Sequence, residues 1–442
     1  MKILLILAAI PEFKMDQPFK YPIMSPPLTL LLLNSICKKA QHDVELIDTR
    51  LLMERGPQDW VLNYATLESV IANSDADVAG ISFLSSAAAQ GFEVAEICKK
   101  YGKTVVVGGL HVSVAPEQFM SPAIDYVIQG EAEEEFPLLL KHLEDETLPR
   151  SPTVTTIRRA KVVKDLKIIP TVTDFSLYEP IFTQYVSSYR AIYVETSRGC
   201  FKSCTFCEIG RDGGAASSPM RLVPVATSLE SIKHAVEKHN TNYVLLTDSI
   251  ATLYKKHFLE FLAAVRNFSG LTIQFNSTVD CWDEDRAKAC QQLASTVWFG
   301  FESGSQRLLD FMRKGTSIER AYRAARICND FGVQGAFNVL LGIPSETEED
   351  YAETVNFFEM FPNAYPNPNL FNPLPGTVLY SYCKERNLLL PKQGQNNIWD
   401  IDDVRRTGNG PLKNMDYDLV LKYHAIFSRL QNERRELLKM AS

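Results

Sequence analysis

The feature that most limits how this chain can fold is a rhythm. Short, near-continuous apolar runs, each followed by a helical pattern, recur in two series. In the first series Lys2 to Ala8, Asp43 to Asp48, Val78 to Leu84, Thr104 to Gly108 and Tyr126 to Gln129 read as strands. Between them Leu28 to Ala40, Gln58 to Ala72, Ala88 to Tyr101 and Glu133 to Leu143 read as helices. Strands that are apolar on both faces and separated by helices form a parallel sheet covered on both sides. Residues 1–147 are therefore expected to be an α/β domain of the flavodoxin-like, doubly wound (Rossmann) type. Ligands of such sheets bind beyond the C-terminal strand ends, at the topological switch point.

The second series starts with Ile192 to Thr196 and continues through Tyr243 to Leu246, Thr272 to Phe275, Val297 to Phe301, Gly335 to Leu341 and Asn369 to Asn372. Its helices are expected near Ser228 to Lys238, Lys255 to Arg266, Asp283 to Leu293, Ile318 to Asp330 and Glu346 to Phe361. Six β/α units are too few for a closed eight-stranded barrel. Between the two series, residues 148–190 lose the rhythm and carry Pro149, Pro152, Pro170 and Pro180. They read as a linker, with a hairpin over Thr153 to Ile169. Residues 387–442 form a short tail with one helix, Asp416 to Leu438, whose apolar stripe reads as packing.

Composition narrows the function. The net charge of −7 over 442 residues leaves no basic footprint for nucleic acid. No run approaches the roughly 18–20 apolar residues of a membrane span, and Met1 to Ile10 reads as a buried strand rather than a signal peptide. Six of the nine cysteines are scattered singly, a pattern of reducing compartments, so a cytoplasmic protein is expected.

The other three form the array Cys200-Phe201-Lys202-Ser203-Cys204-Thr205-Phe206-Cys207, on a loop at a strand's C-terminal end. Soft thiolates at this spacing suit zinc or an iron–sulfur cluster. Structural zinc would need a fourth ligand, and Glu208, His234 and His239 are poor candidates by position. A cubane held by three cysteines, with one iron left open for chemistry, fits better.

At this point the stretch resembles the cluster motif of radical S-adenosylmethionine (SAM) enzymes, including Phe206 before the last cysteine. The resemblance implies a [4Fe-4S] cluster on Cys200, Cys204 and Cys207, with SAM chelating the fourth iron. It also implies a partial (β/α)6 TIM-type barrel over residues 191–386. Polar groups at the C-terminal strand ends match the family's SAM-binding positions: Thr247, Asp248 and Ser249, Asn276, Glu302, and the segment starting at Leu341. Lys314 would offer a cation to the SAM carboxylate. The blander alternatives are helix caps for Thr247 to Ser249 and plain solvation for Lys314.

The first domain is similar to the cobalamin-binding domain found in one large subgroup of this family. The match runs through Pro26-Pro27-Leu28, Gly80-Ile81-Ser82, Val107 to His111 and Asp125 to Glu131. Cobalamin contacts are accordingly expected at Ser82, Ser85, Gly108, Gly109, His111, Gly130 and Glu131. The glycine pair could instead be a tight turn, and His111 a hydrogen-bonded structural residue. The D-x-H-x-x-G segment that supplies a cobalt-ligating histidine in many cobalamin proteins is absent.

The resemblance thus implies a C-methyltransferase that uses cobalamin and a 5′-deoxyadenosyl radical at an unactivated carbon. Its partners would be a small-molecule substrate and a reductase or flavodoxin-type electron donor. A radical cyclase or rearrangement enzyme is the nearest alternative, and a non-catalytic iron–sulfur protein a distant one. The glycine- and serine-rich Gly210 to Ser218 reads as a loop over the cluster.

Overall fold

In the computed structural model, residues 1–12, 20–57, 59–184, 190–209, 219–361, 363–390 and 398–441 are described. The expected loop Gly210 to Ser218 lies outside them. The first sheet contains β1 (Lys2–Ala8), β2 (Asp43–Asp48), β3 (Val78–Phe83), β4 (Thr104–Gly108), β5 (Tyr126–Gln129) and β6 (Thr156–Arg159). All pairings are parallel, and the spatial order is β2-β1-β3-β4-β5-β6. The order reverses between β1 and β3, which puts the ligand-binding crevice of a flavodoxin-like domain above them. Residues Ile3 to Ile6 of β1 are all buried because helices cover both faces.

The second sheet follows chain order: β7 (Ala191–Val194), β8 (Tyr243–Leu246), β9 (Thr272–Ser277), β10 (Ala294–Glu302), β11 (Gly335–Leu341) and β12 (Ala364–Leu370). These six parallel strands, alternating with helices, make the expected partial barrel. One reason it stops at six lies in β12. Pro366 and Pro368 share one parity, so their missing N–H groups face one side. The ladder to β11 is unbroken from Ala364 to Leu370, so that side is the open edge. An edge without donors does not recruit another strand. The C-terminal helix Tyr417–Ala441 packs along β12, burying Val420, Tyr423 and Phe427 in the barrel core. Arg434 fastens it by donating to the carbonyls of Phe358, Phe361 and Ala364.

Three expectations are corrected. The hairpin over Thr153 to Ile169 is absent: Thr156–Arg159 instead extends the first sheet as β6, parallel to β5. The helix expected from Gln58 starts at Tyr64, where Asn63 accepts from the N–H of Thr66. The β-prone Trp60–Leu62 before it pairs antiparallel with Met53–Arg55, and Gln58 itself lies outside the described residues. The last barrel strand runs from Ala364 rather than Asn369, its prolines having hidden it.

Candidate active site

The chain leaves β7 at Val194 and turns into the cysteine loop, whose root is set by Asp248. This buried carboxylate accepts from the Thr196 N–H (2.9 Å), the Thr196 hydroxyl (2.7 Å) and the Ser197 hydroxyl. Burial pushes its pKa up to about 6, against the pull of these hydrogen bonds. The Asp248 carboxylate is therefore occupied in holding the loop. Farther along, the Thr205 N–H and hydroxyl donate to the Met312 carbonyl (2.9 and 3.1 Å), and the Leu379 N–H donates to the Thr205 carbonyl (2.8 Å). Lys202 donates to Asp280 and to the Gly315 carbonyl (2.7 Å). Phe206 packs on the apolar cluster containing Met312, Ile343 and Leu379.

The three cysteines carry thiols rather than disulfides, with Cys204 buried and Cys200 and Cys207 half-buried. Burial lifts the Cys204 thiol to about 11 while the Lys314 ammonium opposes it, and the charges of Cys207 and Cys200 also act on it. None of the three candidate fourth ligands joins the thiols in a metal-binding group among the described residues. The Glu208 carboxylate accepts from Ser85 (2.6 Å). His234 and His239 stack with Phe175 and Phe182 on a helix that leads into the N-terminal end of β8, the opposite end of the sheet. Among the described residues no three histidine, cysteine or acidic side chains converge on a single ion. A cubane needs no such convergence, since each thiol meets a different iron. The donor set fits a cluster with one open corner.

Beside the thiols, Lys314 and Glu302 form a buried ion pair with Nζ 2.7 Å from Oε1. Glu302 stands at φ +71°, after a register shift that ends β10, a strained conformation of the kind found at functional sites. Burial opposes the Lys314 charge, yet Glu302 and the neighbouring thiols outweigh it and raise its pKa. Lys314 also lies 5.5 Å from the Phe206 ring centroid. A Cβ on Gly300 would come within 2.8 Å of the Lys314 Nζ, so glycine keeps this corner open. Asn276 is exposed at the rim, with its amide 3.3 Å from the Asp248 carbonyl. Leu341 is wholly buried in the barrel core. The N–H groups of Gly342 and Ile343 beyond it are taken by Glu346 (2.6 and 3.1 Å), so the expected cofactor role of Leu341 is not supported.

The register of the barrel strands sets the level below this corner. Asn276, Trp298, Ala336 and Tyr365 form one layer, and Gly300, Asn338 and Asn367 the next. Asn367 donates to Asn338 (2.9 Å), and Gln431 of the C-terminal helix donates to Asn367 (3.1 Å). The indole N–H of Trp298 is buried without a partner among the described residues. Sequence reading missed this uncharged wall, because only strand register and a distant helix bring its members together.

Between the two domains lies a cavity of about 680 Å³. Ser82, Gly108, Gly109, Gly130 and Glu131 line it from the first domain, and Arg198, Gly199, Thr247 and Ser249 from the barrel. Thr247 and Ser249, expected at SAM, thus border the same space as the expected cobalamin residues. The volume falls within the roughly 300–1,000 Å³ of small-molecule clefts. A Cβ on Gly108 would meet nothing closer than the Ile128 carbonyl at 3.8 Å, so the cavity opens directly on backbone. No histidine is among the lining residues. A bulky ligand without a protein histidine fits here. Glu131 lines the cavity, but Arg221 holds its carboxylate (2.6 and 2.7 Å) and lowers its pKa against the effect of burial. Arg198 joins Glu195 (2.8 Å) to Glu133 (2.6 Å). These ion pairs tie the domains together, and no sequence motif announced them. Ser85 and His111 do not line the cavity. They bond to each other (2.9 Å) and, through Ser85, to Glu208.

Comparison with known proteins agrees with this geometry. Residues 194–358 match the Radical SAM superfamily and residues 21–140 the B12 binding domain. An uncharacterised methyltransferase of Pyrococcus horikoshii is 28% identical over 406 residues, covering 88% of this chain and 85% of its own length. The bacteriochlorophyllide d C-8(2)-methyltransferase of Chlorobaculum tepidum is 25% identical over 366 residues, covering 79% and 74%. Among solved structures, the radical SAM methyltransferase TsrM from Kitasatospora setae, with cobalamin and a [4Fe-4S] cluster bound, shares the fold. Its TM-score is 0.65 at 18% identity, over 87% of this chain and 75% of that one. The cobalamin-dependent radical enzyme OxsB has a TM-score of 0.67 at 20% identity, over 87% and 55%. The chain carries a radical SAM domain preceded by a B12-binding domain, and these domains imply a [4Fe-4S] cluster, SAM and cobalamin as cofactors. The proteins it is similar to are cobalamin-dependent radical SAM enzymes and methyltransferases. Among the described residues no helix is long and apolar enough to cross a membrane.

Proposed function

We propose that this enzyme methylates an unactivated carbon of an uncharged small molecule seated against the Trp298, Asn338 and Asn367 wall. The observation that carries the reading is the cavity shared by both domains, which sets the cobalamin-side glycines Gly108 and Gly109 opposite the root of the cysteine loop. An unactivated C–H has no acidic proton for a general base, so a one-electron route is needed. When bound, the cluster with SAM supplies that route and cobalamin supplies a transferable methyl group.

The chain's own residues do the rest. Cys200, Cys204 and Cys207 hold the cluster and leave one iron for SAM. Lys314 would hold the SAM carboxylate and Glu302 the ribose, and their ion pair locks each side chain's rotamer. Thr247, Ser249 and Asn276 line the rim on which the nucleoside rests. Ser82, Gly108, Gly109 and Gly130 give a flat ligand close access to backbone. The Arg198, Arg221, Glu131 and Glu133 pairs keep the domains closed and solvent out. A cytoplasmic setting and a reductase or flavodoxin-type electron donor complete the reading. Residues 1–147, with the sheet strand β6 (Thr156–Arg159), would act as the cobalamin domain, the rest of 148–190 as the connection, 191–386 as the radical domain and 387–442 as its cover.

The test is anaerobic reconstitution, followed by spectroscopy of the cluster and chromatography of extracted corrinoid. Iron, sulfide and bound cobalamin are expected, together with a product heavier by one methylene. Zinc without iron, or no corrinoid under saturating supply, would refute the assignment. Turnover without a mass change would point to cyclisation or rearrangement. Cys204→Ala should lose the intact cluster and all 5′-deoxyadenosine release.

A further inference from the structure

Two segments of the first domain border the cavity and also reach the cysteine loop. One is the end of β3, where Ser82, still in the strand, lines the cavity and Ser85 lies three residues on. The other follows β4, where Gly109 and Leu110 line the cavity and His111 comes next. Ser85 and His111 are 9% and 4% exposed, and the His111 Nδ1 is 2.9 Å from the Ser85 Oγ. The same Oγ is 2.6 Å from Oε1 of Glu208, the residue after Cys207. This is the one hydrogen bond of the Glu208 carboxylate among the described residues. A hydroxyl carries a single hydrogen. Ser85 gives that hydrogen to the Glu208 carboxyl oxygen, so His111 donates to Ser85 from Nδ1 and the chain has one direction. Phe119 meets the imidazole edge-on at 5.5 Å, fixing its plane.

The β4 turn has little slack. Gly109 stands at φ +107°, and a Cβ there would come within 2.8 Å of the Phe83 carbonyl. Any adjustment of this turn to a ligand therefore shifts residues together rather than being absorbed locally.

We propose that His111, Ser85 and Glu208 are positioning residues that transmit occupancy of the cobalamin cavity to the cluster loop at Cys207, before any substrate binds. This rests on the cobalamin reading above. A second bridge, Arg198 with Glu133, also joins the domains two residues before Cys200, so the experiment must separate the two routes.

The full chain is reconstituted with Mössbauer-active iron, loaded or not with hydroxocobalamin, and reduced; the Mössbauer spectrum, which is blind to cobalt, then reports the cluster alone. In the wild type, cobalamin should shift the spectrum. Ser85→Ala should bind cobalamin yet lose the shift, and Ser85→Thr, which keeps the hydroxyl, should restore it. Glu208→Gln, whose carbonyl still accepts from Ser85, should retain it. Should Ser85→Ala fail to fold, His111→Phe removes Nδ1 while filling the space beside Phe119, and the same loss is expected. A shift that persists in Ser85→Ala or His111→Phe overturns the proposal in favour of the Arg198 route. A wild-type spectrum indifferent to bound cobalamin overturns it outright. Failure of the wild type to bind cobalamin overturns the cobalamin reading itself, and this proposal with it.

Discussion

Replacing Lys314 by Met keeps most of the side chain's volume and removes its charge. The partner Glu302 is then left buried, its side chain only 10% exposed, with no other ion pair or hydrogen bond to its carboxylate among the described residues. Breaking a buried pair from one side costs about 3–5 kcal/mol, whereas removing both charges is often close to neutral. Lys314→Met should therefore destabilise the barrel by about 3–5 kcal/mol, roughly a hundredfold or more in its unfolding equilibrium. The double variant Glu302→Gln/Lys314→Met should recover most of that. Urea unfolding of the cofactor-free chain, followed by tryptophan fluorescence, reads the barrel through Trp282 and Trp298. Both variants should also bind SAM less tightly, because the cation and the ribose acceptor are separate parts of the proposed site. The reasoning fails if Lys314→Met costs less than about 1 kcal/mol, the level of an exposed pair. It fails equally if the double variant is no more stable than the single one.

Asp248 makes a pH-dependent prediction. Its folded pKa of about 6 lies above the ordinary value of 3.8, so its contribution to stability is present at low pH and lost as pH rises through that window. Asp248→Asn should flatten this segment of the urea-midpoint profile. It should also lower cluster content, since the amide nitrogen cannot accept and so deprives either the Thr196 N–H at Oδ2 or the two hydroxyls at Oδ1 of their acceptor; unchanged iron loading would argue against the anchoring role. Gly109→Ala forces a side chain into a conformation that costs about 1–3 kcal/mol and against the Phe83 carbonyl. Cobalamin loading should fall while iron content holds, and equal loss of both would contradict the assignment. Asn338→Leu breaks the bond to Asn367. Release of 5′-deoxyadenosine should survive while methyl transfer to substrate falls, as read by mass spectrometry.

The sequence by itself determined the two α/β halves, most strand positions and the three-cysteine array. Each rests on local information: apolar periodicity dictates which segments can be buried strands, and the three thiols lie within eight residues. It could not fix what individual polar groups do once neighbours compete for them. Asp248, Ser85, His111 and Leu341 sit where ligand contacts were expected, yet hydrogen bonds from Thr196, the link to Glu208 and burial in the core engage them first. Glu302 and Lys314 are close in sequence, but only the turn at Arg313 and Gly315, both at positive φ, brings them face to face. The cavity between the domains, the Arg198 and Arg221 bridges and the Asn338, Asn367 and Gln431 wall were decided by tertiary structure alone. Each joins residues far apart along the chain, and a hydrogen bond or ion pair depends on a few tenths of an ångström that no periodicity encodes.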